Sequence, residues 1–134
     1  MNKVVLSGRM KELPIIQKMQ IPRSENMMVA LFEIDDGADV HECFAVGEPV
    51  KVLLNLDEKD LEEVTVEGVL CNYHYKDIYH TPHKTKYVLV HNFEALKRNV
   101  RCECREEEKE QIGRLHRSFI EKGLHPVVIT NNYA

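Results

Sequence analysis

Aromatic and cationic side chains are interspersed along residues 73 to 87, the segment of this sequence best suited to binding a ligand. Four tyrosines, three lysines and three histidines lie there: Tyr73, Tyr75, Tyr79, Tyr87, Lys76, Lys84, Lys86, His74, His80 and His83. Flat rings stack on nucleobases and ammonium groups contact phosphates, so this mixture suits single-stranded nucleic acid without any base-specific code. If the segment is a strand, Tyr73 and Tyr75 share one face and His74 takes the other. We therefore take the tyrosines at 73, 75 and 79 and the three lysines as candidate contacts.

Each of these residues also has a structural interpretation. A tyrosine can pack its ring against the fold and leave its hydroxyl in water. Tyr87 precedes the apolar run Val88-Leu89-Val90, and we expect it to be structural. The spacing His80-Thr81-Pro82-His83 raises a metal site, but it lacks a helix and a nearby carboxylate in this interpretation. A pH-sensitive loop is the favoured alternative.

The formal charge of −4 hides a strongly segmental distribution. Residues 25–67 hold 13 acidic residues against two lysines, whereas residues 1–24 hold five basic residues against one acid. Residues 68–98 hold five basic residues against two acids. Because phosphates sense charge within about one Debye length, roughly 8 Å, a protein that is acidic overall can carry a positive groove. The alternative is an unevenly charged, solvated surface.

The elements that must position these residues follow from the apolar pattern. The sequence predicts strands at Lys3–Met10 resuming at Ile15–Ile21, Met27–Ile34, Asp39–Val46, Val64–Tyr75 and Lys86–Leu96, with one helix at Glu48–Asp60. Pro14 breaks the first strand where a barrel corner would bend it, and Asp35-Asp36-Gly37-Ala38 predicts a hairpin. The order β-β-β-α-β-β predicts an all-β dominated fold, a five-stranded OB-fold Greek-key barrel with a short helix between strands 3 and 4.

A C-terminal helical extension follows the barrel. Glu106-Glu107-Glu108 suits a helix N-terminus, and an apolar stripe follows at Ile112, Leu115, Phe119 and Ile120. Gly123 predicts the helix end, and Pro126-Val127-Val128-Ile129 predicts a short edge strand. We expect residues 1–100 to form the nucleic-acid-binding barrel and residues 101–134 to pack on it or on a partner subunit.

Three segments occur in the order and spacing of one known family. They are Asn2-Lys3-Val4-Val5-Leu6-Ser7-Gly8-Arg9, then Phe44-Ala45-Val46-Gly47, then Val66-Glu67-Gly68-Val69-Leu70 followed by Tyr75. On these segments the chain resembles the bacterial single-stranded DNA-binding proteins, in the branch that includes primosomal replication protein N. The resemblance covers roughly residues 1 to 97.

The resemblance implies particular site residues. Tyr75 falls where the family carries a stacking aromatic, whereas Val40 and Val46 stand where it carries two others. The first strand adjoins the groove in related barrels, which implies phosphate contacts from its cations: Arg9, Lys11 and Lys18. The alternative for each is an ordinary surface cation.

The function expected from the resemblance is non-specific binding of single-stranded DNA, or of RNA, in support of replication, recombination or repair. Family members act as dimers or tetramers, so we expect a homodimer or homotetramer, with replication proteins as further partners. The alternative is an OB-fold module for protein contacts, accessory to a primosome or a mobile element, with little DNA affinity. Its apolar C-terminal helix would then dock a partner.

Other function classes lack support in the sequence. No phosphate loop, nucleophile elbow or carboxylate pair is present, so we expect no enzyme activity, no cofactor and no metal. No apolar run suits a membrane span, and no secretory signal precedes the first strand, so we expect a cytoplasmic protein. Four cysteines lie in separate elements, at 43, 71, 102 and 104, and we expect reduced thiols.

Overall fold

Seven strands in one sheet dominate the computed structural model, which describes residues 2–20 and 26–121. The strands are β1 (Lys3–Gly8), β2 (Ile15–Gln20), β3 (Asn26–Asp35), β4 (Val40–Val46), β5 (Val64–Lys76), β6 (Pro82–Ala95) and β7 (Val100–Cys102). The helices are α1 (Glu48–Leu53), a 3-10 helix (Glu58–Glu62) and α2 (Glu106–Glu121). The connector predicted at 21–26 falls mostly outside the described residues, as do the helix end at Gly123 and the strand at 126–129.

The strand order is β1-β5-β6-β4-β3-β2, with β7 added beside β6. β4 and β6 run parallel, and the other pairs are antiparallel. β1 and β2 are the two halves of one bent strand, interrupted near Pro14, and they form the two ends of this order. Backbone hydrogen bonds between Arg9 and Asp35, of 3.0 and 2.8 Å, bring the end of β1 to β3. The predicted five-stranded OB-fold barrel is therefore confirmed, with β7 as an extra strand.

Two glycines allow backbones to approach where the barrel bends. A Cβ on Gly8 would lie 2.1 Å from the carbonyl oxygen of Asp35, and one on Gly68 would lie 2.0 Å from that of Leu89. Gly68 also follows a β-bulge at Glu67 in the pairing of β5 with β6. Both contacts are with backbone atoms, which cannot move aside as a flexible side chain can. These positions therefore require glycine.

The barrel interior is apolar and is plugged by the segment between β4 and β5. Alternate residues of β3, β4 and β6 point inward, and Val50 and Leu53 of α1 pack among them. The single helix predicted at Glu48–Asp60 is wrong. α1 stops at Leu53, and Asp57 caps a separate 3-10 helix: its carboxylate accepts from the amide of Lys59, and the Asp60 carboxylate accepts from the amide of Asp57.

Asp60 is buried and makes two hydrogen bonds with the guanidinium of Arg98. This interaction lowers the pKa of the Asp60 carboxyl to about 2. It anchors the 3-10 helix to the loop that follows β6. The spacing of apolar residues, from which the elements were predicted, gives no signal for the ion pair of Asp60 with Arg98.

The hairpin of β5 and β6 is longer than predicted. The sequence analysis placed a loop at Lys76–Thr85, but strand pairing continues to Lys76 and Pro82, which leaves five residues in the turn. Pro82 is the first residue of β6, where the strand tolerates a proline. The ribbon therefore extends the candidate tyrosines and lysines on paired backbone.

α2 covers the outer face of the barrel. Val29, Leu31, Phe44, Val46 and Leu89 point outward from β3, β4 and β6, yet all are at most 8% exposed. Their covering residues on α2 belong to the predicted stripe: Ile112, Leu115 and Phe119. These strands are buried on both faces, which explains their nearly continuous apolar sequence.

We predict that Gly8→Ala destabilises the chain by at least about 1–3 kcal/mol, because the new Cβ would overlap the Asp35 carbonyl and open the barrel. The matched control is Gly113→Ala on α2, where the nearest side-chain atom is 3.9 Å away. That change should stabilise by about 0.5–1 kcal/mol, since alanine is the better helix former. Urea unfolding measures both, and equal effects would contradict this account of closure.

Candidate nucleic-acid interface

Three nearly parallel rings lie on one face of the β5–β6 hairpin. Tyr73 and Tyr75 have ring centroids 6.1 Å apart and planes 16° apart. His83, directly opposite Tyr75 in register, lies 5.1 Å from it, also at 16°. We call these three side chains the aromatic platform. It shares its face of the ribbon with Tyr87 and Leu89, so it continues the outer face of the barrel.

Asp77 organises the turn that carries the platform. One carboxylate oxygen accepts hydrogen bonds from the amides of Tyr79 and Thr81, at 2.8 and 3.0 Å. The other lies 2.8 Å from Nε2 of His83. The His83 contact and then the Thr81 amide lower the pKa of the Asp77 carboxyl. The same carboxylate therefore fixes the turn and orients the His83 ring against Tyr75.

The candidate lysines lie on the opposite face of the ribbon. Lys84 pairs with His74 and Lys86 with Asn72, so both share the face of Lys76. All three lysines are exposed. The hairpin therefore separates the stacking residues from the cations, a division that the interleaved sequence did not reveal. Tyr79 lies at the tip, 80% exposed, beside Ile78 at 86%.

The three cations predicted on the first strand are not part of this hairpin. Arg9 follows Gly8, which pairs with Val64 at the beginning of β5, whereas Lys76 ends that strand. Lys11 is exposed in the segment between β1 and β2, and Lys18 is exposed on β2 opposite Met28. The register places Arg9 and the aromatic platform at opposite ends of β5, so the phosphate contacts predicted for these cations stay a prediction.

In OB folds the outer face of strands 2 and 3 is the usual oligonucleotide surface. Here those strands are β3 and β4, and α2 occupies the apolar part of their outer face. Phe119 packs edge-on against Phe44 with centroids 5.8 Å apart. His116 packs against the same ring at 6.1 Å and hydrogen-bonds to the Tyr87 hydroxyl. Val46, at a position where the resemblance described above led us to expect an aromatic, is fully buried there.

The uncovered part of that face is acidic. Glu33 and Glu42 lie directly opposite each other on β3 and β4. Burial and then Glu33 raise the pKa of the Glu42 carboxyl. Adjacent like charges repel phosphates as well as each other. The acidic segment is visible in the sequence, but only the pairing of β3 with β4 brings Glu33 and Glu42 together on this face.

The histidine and cysteine signals resolve into structural contacts. A carboxylate does lie near His83, contrary to the sequence interpretation, because Asp77 reaches it through the turn. Among the described residues no group of three or more potential ligands is placed to hold a metal ion. The four thiols are free, with Cys43 and Cys104 buried and Cys71 and Cys102 half-buried.

None of the helices in the described ranges is long and apolar enough to cross a membrane.

Comparison with solved structures agrees with this topology. The SSB protein of Plasmodium falciparum, in complex with single-stranded DNA, matches with a TM-score of 0.53 and 18% identity over 66% of this chain and 85% of that chain. The two chains share the OB fold. The mitochondrial single-stranded DNA-binding protein Rim1 of S. cerevisiae matches with a TM-score of 0.48 and 15% identity, over 71% of this chain and 94% of that one. No protein-family model and no curated sequence matches this chain.

We predict that stability decreases as pH falls below neutral, because α2 docks with a half-buried His116 whose pKa is lowered. Burial and then Arg117 lower the pKa of His116 from 6.5. The stabilisation that comes from folding with a neutral His116 is fully present above pH 6.5. It is lost as the pH falls through the lowered pKa that His116 has in the folded chain. Burial, with Lys109, also lowers the pKa of His91, which acts in the same direction.

The measurement is thermal unfolding of the wild type and His116→Gln from neutral to mildly acidic pH. The variant should lose part of the pH dependence and keep the part that His91 contributes. An unchanged pH dependence in the variant would show that His116 does not titrate with folding.

Proposed function

We propose that this chain binds single-stranded DNA without sequence specificity through the β5–β6 hairpin. The observation that carries the proposal is the aromatic platform, whose three rings are already nearly parallel in the free chain. A base can stack on such a row as one more ring. Because Asp77 already fixes the turn, less conformational entropy is lost when the hairpin binds. Binding without catalysis is the proposed activity.

Electrostatics favour the hairpin over the rest of the barrel. The three lysines lie on the other face of the two-stranded ribbon, which is only one backbone layer thick. Asp77 is the only acidic residue in the sequence from 70 to 86. Because charges interact over about one Debye length, roughly 8–10 Å, we expect those lysines to attract a phosphate beside the platform through the thin ribbon. The outer face of β3 and β4 lacks this advantage because it carries α2 and opposed carboxylates.

The shared OB fold supports this proposal, since the Plasmodium protein was solved with single-stranded DNA bound. We further propose a role in replication, recombination or repair in the cytoplasm, as a homodimer or homotetramer. RNA is the alternative ligand, because stacking does not distinguish the sugars. Replication proteins are proposed as further partners.

Tyr75→Ala should weaken binding of a labelled oligothymidine by roughly 5- to 150-fold, since stacking contributes about 1–3 kcal/mol per base. Tyr75→Phe keeps the ring and should bind nearly as the wild type does. Glu62→Ala, at an exposed position beside Lys97, is the surface control. Fluorescence anisotropy measures all four proteins, and equal affinities for Tyr75→Ala and Glu62→Ala would refute the assigned site.

Lys84→Gln and Lys86→Gln should each reduce the salt dependence of that binding. Neutralising one phosphate contact removes about 0.7 from the slope of log affinity against log salt for a single strand. A duplex of equal length serves as competitor and should not displace the oligothymidine. Unchanged slopes would mean that the lysine face does not contact the backbone.

A further inference from the structure

A cavity of about 310 Å³ opens on the part of the outer face that α2 leaves uncovered. Its floor is formed by outward residues of β3, β4 and β6, among them Leu31, Phe44 and Tyr87. The segment that joins β1 to β2 forms one wall. This volume lies at the lower end of the range of small binding pockets.

Exposed apolar side chains concentrate at this cavity. Leu13 is 44% exposed, Ile15 48% and Val40 49%, and all three line it. They come from two separate segments of the chain, the β1–β2 connection with the beginning of β2, and the beginning of β4. An apolar patch rimmed by polar residues marks an interaction surface more often than it marks ordinary protein surface.

The rim of the cavity is acidic. Four carboxylate residues line it, Glu12, Glu33, Asp35 and Glu42, against the cation Lys11. Glu33 and Glu42 oppose each other across the two strands, an arrangement that costs stability and is relieved by a cation placed between them. The raised pKa of Glu42 has the same cause, because burial and Glu33 both disfavour its charged form.

We propose that this cavity binds a basic peptide segment of another protein. An apolar side chain of the peptide enters between Ile15 and Val40, and lysine or arginine side chains face Glu33 and Glu42. The partner is thus defined by an alternation of apolar and basic residues. The cavity and the aromatic platform adjoin at Tyr87 but use different side chains, and the peptide proposal does not depend on DNA binding at the platform.

The position of β2 fits an extended peptide. Within residues 2–20 and 26–121, β2 pairs with β3 alone, so its other edge has no strand beside it. A peptide added along that edge would gain backbone hydrogen bonds and direct alternate side chains to the outer face. Ile15, on the cavity wall, is the first residue of β2.

Charge argues against a nucleic acid in this cavity. A nucleotide in this cavity would bring its phosphate toward four carboxylates and one lysine. At a charged rim, a partner of opposite charge is favoured and a partner of like charge is repelled. The same rim that repels phosphate attracts ammonium and guanidinium groups.

The test uses the full chain, isotopically labelled for NMR, and a short synthetic peptide that alternates lysine with valine or phenylalanine. Amide shifts should concentrate at the cavity, at residues such as Leu13, Ile15 and Val40, and should leave the turn at Asp77–Thr81, beyond the platform, unchanged. A peptide with glutamate in place of lysine, and one with serine in place of the apolar residues, should each bind at least about tenfold more weakly. No shifts with the lysine peptide at millimolar concentration would overturn the proposal.

Val40→Lys should weaken peptide binding at least about tenfold, and its matched control is Val5→Lys, at a valine 59% exposed on β1. Glu42→Gln should also weaken binding while leaving the melting temperature unchanged or higher, since it removes the opposed charges. Glu107→Gln, exposed on α2, is its control. Equal losses in variants and controls would overturn the cavity assignment.

Oligothymidine binding is measured on the same proteins and should not change in Val40→Lys. Displacement of the peptide by the oligonucleotide, together with loss of DNA binding in that variant, would assign the cavity to nucleic acid instead. If no variant or wild type binds DNA while the peptide still binds, the hairpin proposal fails and the cavity proposal stands.

Discussion

The packing of α2 on the outer face of the barrel determines which surfaces remain for binding. Phe44 is enclosed by Phe119 and His116, so the face that OB folds commonly offer to oligonucleotides is filled by the chain's own rings. What remains exposed is divided by charge. The hairpin presents rings and lysines, and the uncovered end of β3 and β4 presents carboxylates around an apolar cavity. Two ligands of opposite charge therefore suit two different surfaces.

The hairpin works as a unit because one carboxylate connects its parts. Asp77 fixes the turn through the amides of Tyr79 and Thr81 and orients His83 against Tyr75. A two-stranded ribbon is marginally stable by itself, so such local hydrogen bonds matter more here than in the barrel. The platform is consequently prearranged, so the binding proposed there would require little ordering of the hairpin.

Much of the fold was predictable because its signals are local. Pro14 marked the break in the first strand, Asp36-Gly37 marked a hairpin, and alternation placed Tyr73 and Tyr75 together. The division between tyrosines and lysines was not predictable, since it depends on register across the turn, and a loop placed at Lys76–Thr85 left that register unset. The docking of α2 was predictable only in part: its apolar stripe indicated packing on the barrel or on a partner subunit, and nothing in the sequence chose between the two.

The pairing of β1 with β5 also sets the order of events during synthesis. Lys3 of β1 pairs with Val69 of β5, 66 residues further along the chain, so β1 gains this strand partner only after β2, β3 and β4 have been made. Contacts this distant in sequence make folding slow. Until β5 is made, β1 lacks the strand that pairs with it, and an unpaired strand edge is prone to aggregation.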